Sequence, residues 1–64
     1  MSDINTLKAE VKRLNAQATS LKMDLHDLSE ELPRDWERIP AVAEKAFAAY
    51  RDLAAARAAL AAAG

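Results

Sequence analysis

The chain has 64 residues, 52% of them hydrophobic, and 10 acidic against 9 basic side chains leave a formal charge of -1. It has no cysteine and a single glycine at the C-terminus, which excludes a disulfide framework, a thiolate nucleophile, a Cys-ligated zinc site and a glycine-rich phosphate loop. Aromatics at 5% and a near-neutral balance give neither a base-stacking platform nor a drive toward nucleic acid or an anionic membrane.

From the N-terminus, Met1-Ser2-Asp3 lacks the basic and apolar regions of a secretory signal, and no apolar run approaches the ~18 residues of a membrane span. A cytoplasmic protein is expected. Ile4, Leu7, Val11, Leu14, Ala18, Leu21, Leu25, Leu28 and Leu32 then recur at alternating steps of 3 and 4. These are unbroken heptads with Ile4 at a and Leu7 at d. Only a helix lines such residues up as one stripe, and a mean spacing of 3.5 implies supercoiling against another helix. Ser2 or Asp3 is placed to cap its start. Pro33 stops it, because the residue before a proline is pushed out of the helical region.

Pro33-Arg34-Asp35 reads as a turn, with Asp35 as the next N-cap candidate. The second helix shows Trp36, Ile39, Ala43, Ala46, Tyr50, Leu53, Arg57 and Leu60 at the same alternating steps, and Val42 and Phe47 widen the stripe. Pro40 interrupts it. The two solutions are a separate turn over Trp36 to Ile39 followed by a helix from Pro40, or one helix from near Asp35 with a kink. Heptad phase favours the second. The expected fold is all-α, an antiparallel two-helix hairpin spanning 1–64. Its first helix covers about 3–32, the turn about 33–35 and the second helix about 36–62, with 40 as the alternative start.

A hairpin cannot cover its own seam on both sides. The hydrophobic set includes 16 alanines, which bury little area. Ordering each residue costs ~1–2 kcal/mol of backbone entropy, so the larger side chains must be covered more fully than one hairpin allows. The seam of Leu7, Val11, Leu14, Leu21, Leu25, Leu28, Ile39, Tyr50 and Leu53 therefore predicts a homodimer of two hairpins in an antiparallel four-helix bundle, or a hairpin docked on another protein. Arg57 at a core position either sets register or extends its charge out to solvent.

Candidate functional residues lie off the seam. Met23, His26, Asp27 and Glu30 stand at i, i+3, i+4 and i+7 and share the outer face of the first helix. Met is an adaptable contact residue, and this face reads as a docking patch. Asp24, Asp27, Glu30, Glu31, Asp35 and Glu37 crowd the hairpin end. Carboxylates there oppose the dipole of the first helix, unless the start of the second helix, Arg34 and Arg38 offset them. His26 with Asp27 and Glu30 is too sparse a ligand set for a metal, and no metal or cofactor is expected. Thr19, Ser20 and Ser29 have no base arranged to activate them, and no catalytic residue is expected. Lys8, Lys12, Arg13 and Lys22 form a partial basic face diluted by Glu10 and Asp24, a poor platform for RNA.

The run Leu14-Asn15-Ala16-Gln17-Ala18-Thr19-Ser20-Leu21-Lys22-Met23-Asp24-Leu25-His26-Asp27-Leu28, followed by Glu31-Leu32-Pro33, resembles a family of small Rop-like helical hairpins encoded among bacterial nitrogen-fixation genes. Trp36, Arg38-Ile39, Val42-Ala43-Glu44-Lys45, Ala49-Tyr50 and Leu53 carry the resemblance into the second half. Heptad constraints alone would not select Met23 or His26. Within the family the chain looks most like the nitrogenase-associated factor T type. Pro40 departs from the family pattern, and the alanine-rich stretch after Leu53 carries no signature. The resemblance implies a rod-like dimer of antiparallel hairpins without catalytic residues. It implies association with the nitrogenase molybdenum–iron protein in an incomplete, damaged or maturing form. Met23, His26, Asp27 and Glu30 are the residues placed at that contact, with Trp36 as an anchor. The rival expectation is a purely structural dimer, or a regulator of another partner.

Overall fold

Four heptads without an internal proline or glycine give one continuous helix. In the computed structural model, which describes residues 3–63, α1 runs Ile4–Glu31. Asp3 sits at its N-cap with extended backbone, and its carbonyl accepts from the Leu7 N–H at 3.0 Å. The Asp3 side chain makes no capping hydrogen bond, so this candidate cap acts through its backbone alone. Ser2, the other candidate, lies outside the described residues. Leu32 is extended at φ -60°, ψ 143°, as the following proline requires, and ends the helix.

The chain reverses over Leu32 to Asp35. The Arg34 N–H donates to the Glu31 carbonyl at 3.0 Å. Asp35 adopts left-handed backbone at φ 58°, a region that Asp tolerates better than most residues. Its carbonyl accepts from the Arg38 N–H at 2.9 Å, and its side chain makes no cap bond. A short 3-10 turn, Trp36–Arg38, follows, and α2 then runs Ile39–Ala63. Of the two solutions the sequence offers, the favoured single kinked helix from near Asp35 is not the one adopted; a separate turn comes first and the new helix starts one residue before Pro40. The physical reason is Pro40. In the first turn of α2 its missing N–H would have had no intrahelical partner, whereas inside a longer helix it would break a hydrogen bond and clash with the preceding turn.

The two helices form a hairpin 46 Å long and 15 × 14 Å across. Leu14, Ala18, Ala49 and Leu53 make its buried centre, with Val11, Leu21 and Ala56 packed against them. Leu28 and Ala46 are buried further along the seam. Leu7, Val42 and Leu60 are half-buried. Neither helix is long and apolar enough to cross a membrane.

The contact side of α2 is displaced from the stripe read in the sequence. Ala46, Leu53 and Leu60 belong to both. Val42, Ala49 and Ala56, however, take the places expected of Ala43, Tyr50 and Arg57. The smallest side chains let the helices approach, and a tyrosine and an arginine would hold them apart. Tyr50 consequently sits on the flank, 43% exposed. Ile39 and Leu25 are likewise on the surface of the single hairpin.

Candidate interaction surface

Three surfaces follow from this packing. The outer face of α1 carries Met23, 52% exposed, with His26, Asp27 and Glu30 around it, all exposed. His26 Nε2 lies 3.1 Å from Glu30 Oε1 across one helical turn. The spacing expected to gather these four residues does so, but Met23 is the only large apolar side chain among them. Trp36 stands apart from them, 62% exposed, in the turn at the hairpin end. Near it, α1 has no basic residue in its last turn, and Arg34 and Arg38 form no ion pair with the acidic cluster among the described residues.

The second surface lies along one side of the seam. On α1, Ile4 and Leu25 at a reach the surface, whereas Ala18, also at a, and Leu14 and Leu28 at d are buried. Beside the a row on a helix stands the e row, here Lys8, Asn15, Lys22 and Ser29. On α2, Ile39, Ala43, Phe47, Tyr50, Ala54, Arg57 and Ala61 recur at steps of 4 and 3 along one flank of the alanine contact. Arg57 Nη2 donates to Asn15 Oδ1 at 3.3 Å. That bond joins the two flanks into one face. Ile4, Val11, Leu25, Ile39, Phe47 and Tyr50 supply its apolar surface, and Phe47 is 68% exposed. Lys8, Lys22 and Arg57 supply its charge. No carboxylate stands in the a or e row of α1 between Ile4 and Ser29, nor on this flank of α2.

The third surface, on the opposite side of the seam, holds the acids. The g row of α1 reads Asp3, Glu10, Gln17, Asp24 and Glu31. Glu10 is bound by Arg13 through Oε1 and, at 3.3 Å, through Oε2. Glu10 and Asp24 therefore do not dilute Lys8 and Lys22 as a linear reading suggests. They face the other way. None of the exposed large apolar side chains within the two helices falls on this acidic side.

Two of the three candidate hydroxyls are bonded locally. Thr19 Oγ1 donates to the Asn15 carbonyl at 2.8 Å, and Ser29 Oγ to the His26 carbonyl at 2.7 Å. Among the described residues no cavity opens, and no three His, Asp or Glu side chains converge on one point. Sequence reasoning treated Phe47 as a widening of the core and missed it as a surface feature. The signal was present: alanines at 49 and 56, beside Tyr50 and Arg57, mark where helices touch.

The sequence model of the family described as Rop-like matches residues 2–64. A protein of Azorhizobium caulinodans named UPF0437 protein is 51% identical over 57 residues, covering 89% of this chain and 83% of its own length. UPF0437 protein y4xE of Sinorhizobium fredii is 48% identical over 62 residues, 97% of this chain and 92% of that one. A Frankia alni relative, named UPF0437 protein in nifX-nifW intergenic region, is 40% identical over 52 residues, 81% of this chain and 63% of that protein. A solution NMR structure from the Northeast Structural Genomics Consortium superimposes with a TM-score of 0.85 at 55% identity, covering 97% of this chain and 87% of that one.

Proposed function

For this chain, which belongs to the Rop-like family, we propose the role of a non-catalytic accessory protein of nitrogen fixation that acts in the cytoplasm and binds the nitrogenase molybdenum–iron protein in an incomplete, damaged or maturing form. The observation that carries this reading is the set of large apolar side chains left on the surface. Large apolar groups stand on the surface at Met23, Leu25, Trp36, Ile39, Phe47 and Tyr50, and no cavity opens among the described residues. Such a molecule acts by lying against something larger. The nitrogen-fixation setting is supported by the Frankia relative, whose name places it between nifX and nifW. The resemblance of the Leu21-to-Leu28 segment to the factor T type supports the choice of partner.

Met23, His26, Asp27 and Glu30 on the outer face of α1, with Trp36 at the turn, are the proposed contacts. Self-association belongs to the same reading. The accessible surface is 4904 Å². A compact monomer of this mass exposes ~4,000 Å². The excess is close to the ~800 Å² that each partner buries in a standard interface. The test is affinity purification from nitrogen-fixing cells. The wild-type chain is expected to recover the molybdenum–iron protein, and Met23→Glu or His26→Glu to lose it with helicity and self-association retained. Normal recovery by both variants refutes the surface, and no recovery by the wild type refutes the partner.

A further inference from the structure

The face that carries Lys8, Lys22 and Arg57 has two properties that pull against each other. It is the most apolar exposed surface of the molecule, which calls for a cover. It is also purely cationic, which limits what the cover can be. We infer that this face is a docking groove for an acidic amphipathic helix of another protein, and that this helix displaces a second copy of the chain from it.

Charge selects the occupant. A two-fold dimer through this face sets the same patch against itself. Lys8, Lys22 and Arg57 of one copy then meet those of the other, with no carboxylate on either side to separate them. Like charges brought together at an interface cost affinity and favour a different partner. Arg57 shows the want of an anion directly. Its guanidinium is held by the neutral Asn15 amide at 3.3 Å. The ion pairs Glu10–Arg13 and Arg51–Asp52 and the His26–Glu30 contact, among the described residues, leave all three cations of this face out. An incoming helix with leucines on its seam and glutamates beside them meets Leu25, Ile39, Phe47 and Tyr50 with its apolar side and the cations with its rim.

Nucleic acid fits less well. Lys8 and Lys22 stand about 21 Å apart along α1 at ~1.5 Å per residue. Duplex phosphates recur every ~1.7 Å, whereas this face offers them the single Arg57–Asn15 pair between the two lysines, flanked by Val11 and Ala18, which carry no side-chain donor. The inference rests on reading the chain as a binding module, not on which protein it binds in the cell. The experiment below is therefore independent of the purification test.

The probe is a fluorescein-labelled peptide of about four heptads, with Leu at a and d and Glu at e and g, and a control with Gln at e and g. Binding to the full chain is read by anisotropy, and self-association by sedimentation equilibrium. The Glu peptide is expected to bind about tenfold tighter than the Gln peptide and to weaken between about 50 and 500 mM salt. Self-association is expected to move the opposite way and strengthen as salt screens the facing cations. Lys22→Gln, exposed and neutral in helix propensity, is expected to weaken peptide binding and tighten self-association. A merely structural role for Lys22 would not give these opposite signs. The inference is overturned if the two peptides bind alike, if added salt loosens self-association, or if a single-stranded RNA oligomer displaces the Glu peptide at equal concentration.

Discussion

Arg13 reaches back one turn of α1 and grips both oxygens of Glu10. The hydrogen bonds from Arg13 hold the Glu10 carboxyl below its ordinary value, assisted by the guanidinium charge and opposed by desolvation. The same contact raises Arg13. A depressed carboxylate stabilises the folded helix above its unfolded value, ~4.3, and loses that contribution as pH falls through its lower folded value. Thermal melts followed by circular dichroism are therefore expected to show Glu10→Gln less sensitive than wild type to acidification below about pH 4. The difference is small, because both side chains are exposed and solvent screens them. An unchanged acid slope in the variant removes this role. Asn15 and Arg57 work at the same scale with a different result: a neutral amide holds a cation in place and leaves its charge available.

At the level of the element, α2 is decided by where its alanines fall. Ala46 and Ala49 are buried against α1, while Tyr50, one residue on, is 43% exposed. Ala49→Leu forces extra volume into the closest part of the hairpin and is expected to cost about 1–3 kcal/mol in urea denaturation. Tyr50→Ala is expected to leave the isolated hairpin within about 0.5 kcal/mol of wild type, as surface substitutions do. Equal losses from the two would return Tyr50 to the intrachain seam. The heptads made the existence, order and direction of both helices readable, because an unbroken 3–4 repeat has no other solution. The contact side of α2 was less readable. Its stripe and the neighbouring one share Ala46, Leu53 and Leu60, and the sequence pattern alone ranks a tyrosine above an alanine as core. Packing reverses that ranking when the partner helix must come close. Pro40 poses a related choice: phase continuity with Trp36 and Ile39 argues for one helix, and the fold adopts the alternative, a separate turn and a helix start beside the proline.

For the whole molecule, segregation of charge around the rod is the main result of folding. A chain with 10 acids and 9 bases looks balanced, yet the hairpin turns the α1 acids at Glu10, Asp24 and Glu31 away from Lys8 and Lys22. The outer Met23 face was legible because it lies on one helix and needs only a periodicity of 3.6. The cationic apolar face was not, because it joins rows from two helices, and their relative rotation is set by alanine contacts that no linear pattern declares. His26 stands in the row between these two surfaces, so a partner seated on one reaches the other without leaving α1.

The turn holds one further consequence. Trp36 is the sole tryptophan, and it stands in water at one extremity of a rod 46 Å long. Its indole emission is thus a built-in optical reporter of that tip. A blue shift on mixing with a tryptophan-free ligand is expected when the tip is engaged, and an unchanged spectrum alongside tight capture means that the ligand lies along the shaft and leaves the tip wet.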